Sequence, residues 1–182
     1  MGFIWGKLFN REFLIRNNLL LNDNLTAAED AEFMLRTAFY ADRVSFVAKS
    51  LYNYLHNTVS AVRSFRTDYV ERYRKSLSVM YDFLVDNGLS KHLVTYDNCV
   101  LYHLLLIVVN YSFNPARKDT KKEQTAAFKK LVKDPFFANA MKSLRLKDFS
   151  MTRKITLICI KLKMYRMVRL IALFRQKQTG TS

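Results

Sequence analysis

Apolar residues recur along this chain mostly at helical spacing. Tyr69, Tyr73, Leu77, Met80, Tyr81 and Leu84 lie three or four apart or side by side, and the stripe stops at Asn87-Gly88. That period predicts a helix with one apolar face and a glycine just past its end. Leu89 to Phe113 is apolar through most of its length, as expected of a more deeply buried helix, and Asn114-Pro115 stops it. Asp119 to Lys133 reads as a third helix, polar and basic on one side. Pro135 opens another short one. Met151 to Gln176 closes the pattern as one long or two short helices.

The first sixty or so residues are less regular. Phe3, Ile4, Trp5, Leu8, Phe9, Phe13 and Leu14 suggest a short strand or turn followed by one or two short helices over residues 3–17. Asn17 to Thr26 holds four Asn and one Asp in ten residues and reads as a loop. A helix is expected from about Ala27 to Ala41, with Thr26 and Glu29 at the spacing of a capping box. Arg43 to Ala48 and Leu51 to Leu55 have the β-branched and aromatic content of two short strands. The expected class is therefore α+β, mostly α. A mixed segment over residues 1–62 leads into a helical segment over residues 63–182.

Composition narrows this picture. The 182 residues fit one domain or one domain with an appendage. An apolar and aromatic fraction of 50% against 25% charged residues excludes a disordered chain. Four Gly and two Pro are too few for a turn-rich sandwich or barrel. Cys99 and Cys159 sit inside apolar runs, so they read as buried thiols in a reducing compartment. His92 and His103 have no Cys, Asp or second His at ligand spacing, so no zinc site is expected.

Thirty basic against fifteen acidic residues give a formal charge of +15, which favours an anionic partner. No recognition helix, ribonucleoprotein motif or zinc finger accompanies the charge, and charge alone supplies only non-specific nucleic-acid affinity. Nucleic acid is therefore not the expected partner. The N-terminus does not have the form of a signal peptide. Leu101 to Val109 is short of the roughly 20 residues that span a bilayer. Ile155 to Phe174 is long enough but carries Lys161, Lys163, Arg166 and Arg169, so no transmembrane helix is expected.

One ordered pattern in the first segment goes further. Trp5-Gly-Lys-Leu-Phe-x-Arg-x-Phe-Leu14 is followed by the polar loop, then Glu29-Asp30-Ala-Glu-Phe, then Leu51-Tyr-x-Tyr-x-His56 and Ser60. This order resembles the second half of a family 2 glycosyltransferase catalytic domain, of the bacterial class that builds surface polysaccharides. The resemblance implies a remnant of a GT-A fold over residues 1–62 and sugar transfer with inversion. It implies Asp30 as the catalytic base, with Trp5, Lys7 and Glu29 on the acceptor side. It places His56, Ser60 and Arg63 in a loop beside the donor diphosphate.

The resemblance covers only the C-terminal part of the family pattern. The nucleotide-binding half and its Asp-x-Asp metal motif are absent from this sequence; Asp30-Ala-Glu32 comes nearest and sits on a different element. Intact members are expected to use manganese or magnesium, a nucleotide-sugar donor and a saccharide or lipid-linked saccharide acceptor. This chain alone is expected to hold no metal and to be inactive.

The residues also admit plainer readings. Asp30 in a first helical turn complements the helix dipole whether or not it is a base. Trp5 fits a sugar-stacking floor or a core indole with a hydrogen-bonded N–H. Lys7 and Arg11 fit phosphate contacts or solvated charges, and His56 fits a hydrogen-bonded surface residue.

The tail carries a separate signal. Lys142 to Lys177 contains eleven Lys and Arg and one acid, Asp148, a balance of +10. On a helix starting at Lys163, Met164, Met167, Val168, Ile171 and Phe174 would share a face, with Lys163, Arg166, Arg169 and Lys177 largely opposite. That suits an interfacial helix on an anionic membrane through residues 152–177. A cytoplasmic protein, peripheral on the inner face of the membrane, is the expected setting. The alternative function is a non-catalytic basic helical module that binds a membrane or a protein.

Overall fold

The computed structural model describes residues 3–53 and 65–178, and these are mostly helical. In order they form α1 (Arg11–Arg16), α2 (Glu29–Tyr40), α3 (Tyr69–Asp86), α4 (Leu93–Ile107), α5 (Lys121–Lys133), α6 (Pro135–Lys142), α7 (Met151–Lys161) and α8 (Tyr165–Gln178). A 3-10 turn, Ser90–His92, leads into α4, and a π turn, Val108–Ser112, continues it.

Among the described residues there is no strand, which corrects the expected α/β remnant. Arg43 to Ala48, and 51–53 of the second expected strand, run without regular structure. Val44 and Phe46 are about nine-tenths exposed. Their β-branched and aromatic character needs a neighbouring strand to pack on, and the described residues offer none.

The chain divides into two compact units. In the first, the described residues are 3–53 with Glu71–Asn87. Helix α1 starts at Asn10, whose side chain accepts the N–H of Phe13 at 3.0 Å. Phe9 meets Phe33 of α2 edge-on at 5.5 Å, and Phe39 of α2 meets Phe83 of α3 edge-on at 5.4 Å. Tyr73, Leu77, Met80 and Leu84 are buried, so the periodic stripe does become the inner face of α3.

The second unit holds residues 65–70 and 88–178 among those described. Its centre is the helical run Ser90–Ser112. This run is long and apolar enough to cross a membrane by length and composition. Here Val100, Leu101, Leu104, Ile107 and Val108 form the core, and α4 packs on α6 and α7 while the π turn packs on α5 and α8. Of the run's most apolar stretch, 39% is buried inside the protein. Phe128 of α5 lies between Phe113 and Tyr165, at 5.1 and 5.7 Å.

Local caps fix the ends of the basic helices. Thr120 and Glu123 form a reciprocal capping box at the start of α5. Asp134 caps α6 with Pro135 at its first position, as expected. The tail is two helices because Lys163 adopts a left-handed conformation, φ 58°. Met164 N–H then donates to Cys159 O at 2.8 Å and Lys163 N–H to Ile160 O at 3.0 Å, a Schellman closure of α7. This break changes the expected face of the tail. Val168 is fully buried with Ala172 and Gln176, while Met167 and Phe174 point outward.

Candidate functional site around Asp30

The first turn of α2 is built differently from the expected capping box. Its N-cap is Ala28, left-handed at φ 56°, with no side-chain cap. Thr26 is engaged elsewhere: its hydroxyl accepts Arg72 Nε at 2.6 Å, and its carbonyl accepts Arg72 Nη2. Ser76 Oγ donates to the Ala27 carbonyl. Two α3 side chains thus fix the chain at 26–27, and Ala28 turns it into the helix. The capping-box reading failed because Arg72, 46 residues away, took the threonine.

Glu29, Asp30 and Glu32 crowd the first turn of α2. The helix dipole favours them there. Asp30 is half-buried. Burial raises its carboxyl above the usual range, and the neighbouring Glu29 charge adds to the rise. Hydrogen bonding from the backbone of Ile4 and the charge of Lys7 pull the other way. Glu32 escapes the crowding by pairing bidentately with Arg36, at 2.6 and 2.9 Å. Arg36 also donates to the Leu20 carbonyl at 2.6 Å, tying α2 to the preceding loop.

The Ile4 backbone therefore lies near the helix start. Trp5 follows directly. Its ring stacks with Phe3 at 4.9 Å and with Tyr52 at 5.7 Å, both within 23° of parallel. Gly6, at φ 70°, makes the turn that follows, and a Cβ there would sit 3.9 Å from Tyr52. Each of the three rings keeps a third to a half of its surface exposed. Lys7 folds back, its Nζ donating to the Phe3 carbonyl.

Glu29 and Lys7 are thus close enough to act on the charge of Asp30, and Trp5 is the residue after Ile4, its ring turned to Phe3 and Tyr52. His56, Ser60 and Arg63 lie outside the described residues. Phe3 and Tyr52 join Trp5 without having been singled out. Tyr52 belongs to the Leu51-Tyr pattern and Phe3 to the apolar run before Trp5, but nothing local marks either as a partner of the Trp5 ring. No sequence signal pointed to Arg72 or Ser76 either.

Among the described residues no group of three or more His, Cys, Asp or Glu could hold a metal ion. In the second unit, the Nδ1 of buried His103 bonds the Cys99 carbonyl at 2.8 Å, and burial lowers its pKa. What the Asp30 neighbourhood can do chemically is accept a proton. One N–H occupies only part of a carboxylate, which offers about four acceptor positions.

No protein-family model, curated protein or solved structure matches this chain.

Proposed function

We propose that this chain carries the acceptor side of an inverting, family 2-type glycosyltransferase, with Asp30 as the base that removes the acceptor hydroxyl proton. The observation that supports this is the state of Asp30. It is a half-buried carboxylate whose proton affinity is raised by burial and Glu29, close to the backbone of Ile4 in the segment that carries an exposed aromatic stack. A base works best when its pKa moves toward the working pH, and it must lie about 2.6–3.2 Å from the group it deprotonates. The Phe3, Trp5 and Tyr52 rings offer a face to the C–H surface of a saccharide. Glu29 and Lys7 orient polar groups beside it. His56, Ser60 and Arg63 would face the donor diphosphate, where a cation offsets the charge that develops on the leaving group. The nucleotide sugar and its manganese or magnesium would be held by a nucleotide-binding half with an Asp-x-Asp motif.

The test joins this chain to such a donor-binding half and measures nucleoside diphosphate release with manganese and a saccharide acceptor. Replacing Asp30 by Asn should lower acceptor-dependent turnover by about 10²–10⁴-fold, the usual contribution of a general base. Unchanged turnover in Asp30→Asn would remove the base assignment. The competing reading, a non-catalytic basic helical module, is favoured by the +10 charge of residues 142–177. It requires that no such pairing yields acceptor-dependent transfer.

A further inference from the structure

Helices α7 and α8 each carry apolar side chains on the side away from the core. On α7 and the residue after it, Met151, Ile155, Ile158 and Leu162 recur at steps of four, three and four. With 3.6 residues per turn they form one stripe, away from buried Thr156, Leu157 and Ile160. On α8, Met167, Leu170 and Phe174 form a second stripe, roughly opposite buried Val168, Ala172 and Gln176. Met151, Leu162, Leu170 and Phe174 are 69, 63, 61 and 63% exposed. Met164, 45% exposed, extends the apolar surface through the turn between the helices.

Cations flank these stripes. Lys161, Lys163, Arg166 and Lys177 are all exposed. The only acid from Lys142 to the C-terminus is Asp148, which accepts a hydrogen bond from Asn98 at 2.8 Å.

We propose that the outer faces of α7 and α8 bind an anionic phospholipid bilayer, the apolar stripes entering the headgroup boundary and the flanking cations meeting lipid phosphates. Charge selects this occupant. A second copy of the chain would bring its own +10 against the first. Nucleic acid would answer the charge and leave the aliphatic stripes in water. An anionic bilayer satisfies both features of the surface, and apolar area and electrostatic attraction add in such binding. This surface uses no residue of the Asp30 neighbourhood, so it stands or falls independently of the glycosyltransferase reading.

The test is flotation of the full chain with vesicles of phosphatidylcholine and phosphatidylserine, and with phosphatidylcholine alone. Binding is expected to the first and to be much weaker to the second. A triple variant, M167S/L170S/F174S, changes only exposed side chains and should melt as the parent does. It should bind at least roughly tenfold more weakly, having lost the inserted area. The charge variant K161Q/R166Q/K177Q should lose about fivefold per cation, roughly a hundredfold in all. No flotation of the parent on anionic vesicles would overturn the proposal. So would parent-like flotation of the serine variant with its fold intact, or a parent dimer that the serine variant turns into a monomer.

Discussion

The backbone of Ile4 approaches the carboxylate of Asp30 closely enough to lower its pKa, so the first turn of α2 and the segment that carries Trp5 are neighbours. An acidic side chain in a first helical turn would ordinarily face water and only complement the dipole. Here the backbone of a second piece of chain also approaches it, and burial there raises its proton affinity.

That rise has a consequence for stability. A carboxyl whose native pKa lies above its ordinary 3.8 contributes stability below 3.8 and loses it as pH rises through the native value. At neutral pH the ionised Asp30 therefore works against the fold. Asp30→Asn keeps an oxygen for the Ile4 N–H and removes the repulsion from Glu29. It should melt at the same or a higher temperature than the parent at pH 7. The difference should close as the pH falls through the carboxylate range. A clear drop in melting temperature at pH 7 would show that the charge is held for stability.

Ala28 occupies a left-handed conformation that disfavours any side chain by about 1–2 kcal/mol. Glycine removes that strain but adds freedom to the unfolded chain, which offsets about 0.4–1 kcal/mol. Ala28→Gly should leave a net gain of about 0.5–1 kcal/mol, read from urea unfolding. A loss would mean that the Ala28 methyl makes a packing contact worth more than the strain.

Gln176 reaches from α8 to the π turn, where its Nε2 donates to the carbonyls of Val109 and Phe113, the latter at 3.2 Å. A π turn shifts backbone partners, and this side chain supplies donors to carbonyls at both its ends. Gln176 is 2% exposed, so the carbonyls have no ready water to replace it. Gln176→Ala should destabilise the protein by about 1–3 kcal/mol. Gln176→Glu should be worse at neutral pH, since an ionised carboxylate would face two acceptors, and should recover partly on acidification.

Partial burial pushes the Cys99 thiol up to about 11, and Cys159 is buried. The thiolate is the reactive form. Neither cysteine should react quickly with a disulfide reagent at pH 8 in the native protein, and both should react at once in denaturant. Fast labelling of one thiol in the folded protein would contradict the burial.

Helices whose apolar period is long and whose ends carry explicit signals are legible in the chain alone. The stripe from Tyr69 to Leu84, the stop at Asn87-Gly88 and the start at Pro135 are local properties of a few neighbouring residues, and α3 and α6 follow them. Arg43 to Ala48 shows where local content is insufficient: a strand needs a distant partner, and among the described residues Val44 and Phe46 pair with no strand. The start of α2 was decided the same way. Thr26 and Glu29 had the spacing of a cap, but Arg72 and Ser76 compete for the same chain from 46 and 49 residues away. Only tertiary packing brings such groups together, because spacing along the chain fixes what a residue can reach locally and says nothing about what will arrive from afar. The tail follows the same rule. Its period announced an amphipathic helix, while the break at Lys163 and the burial of Val168 decided which side faces outward.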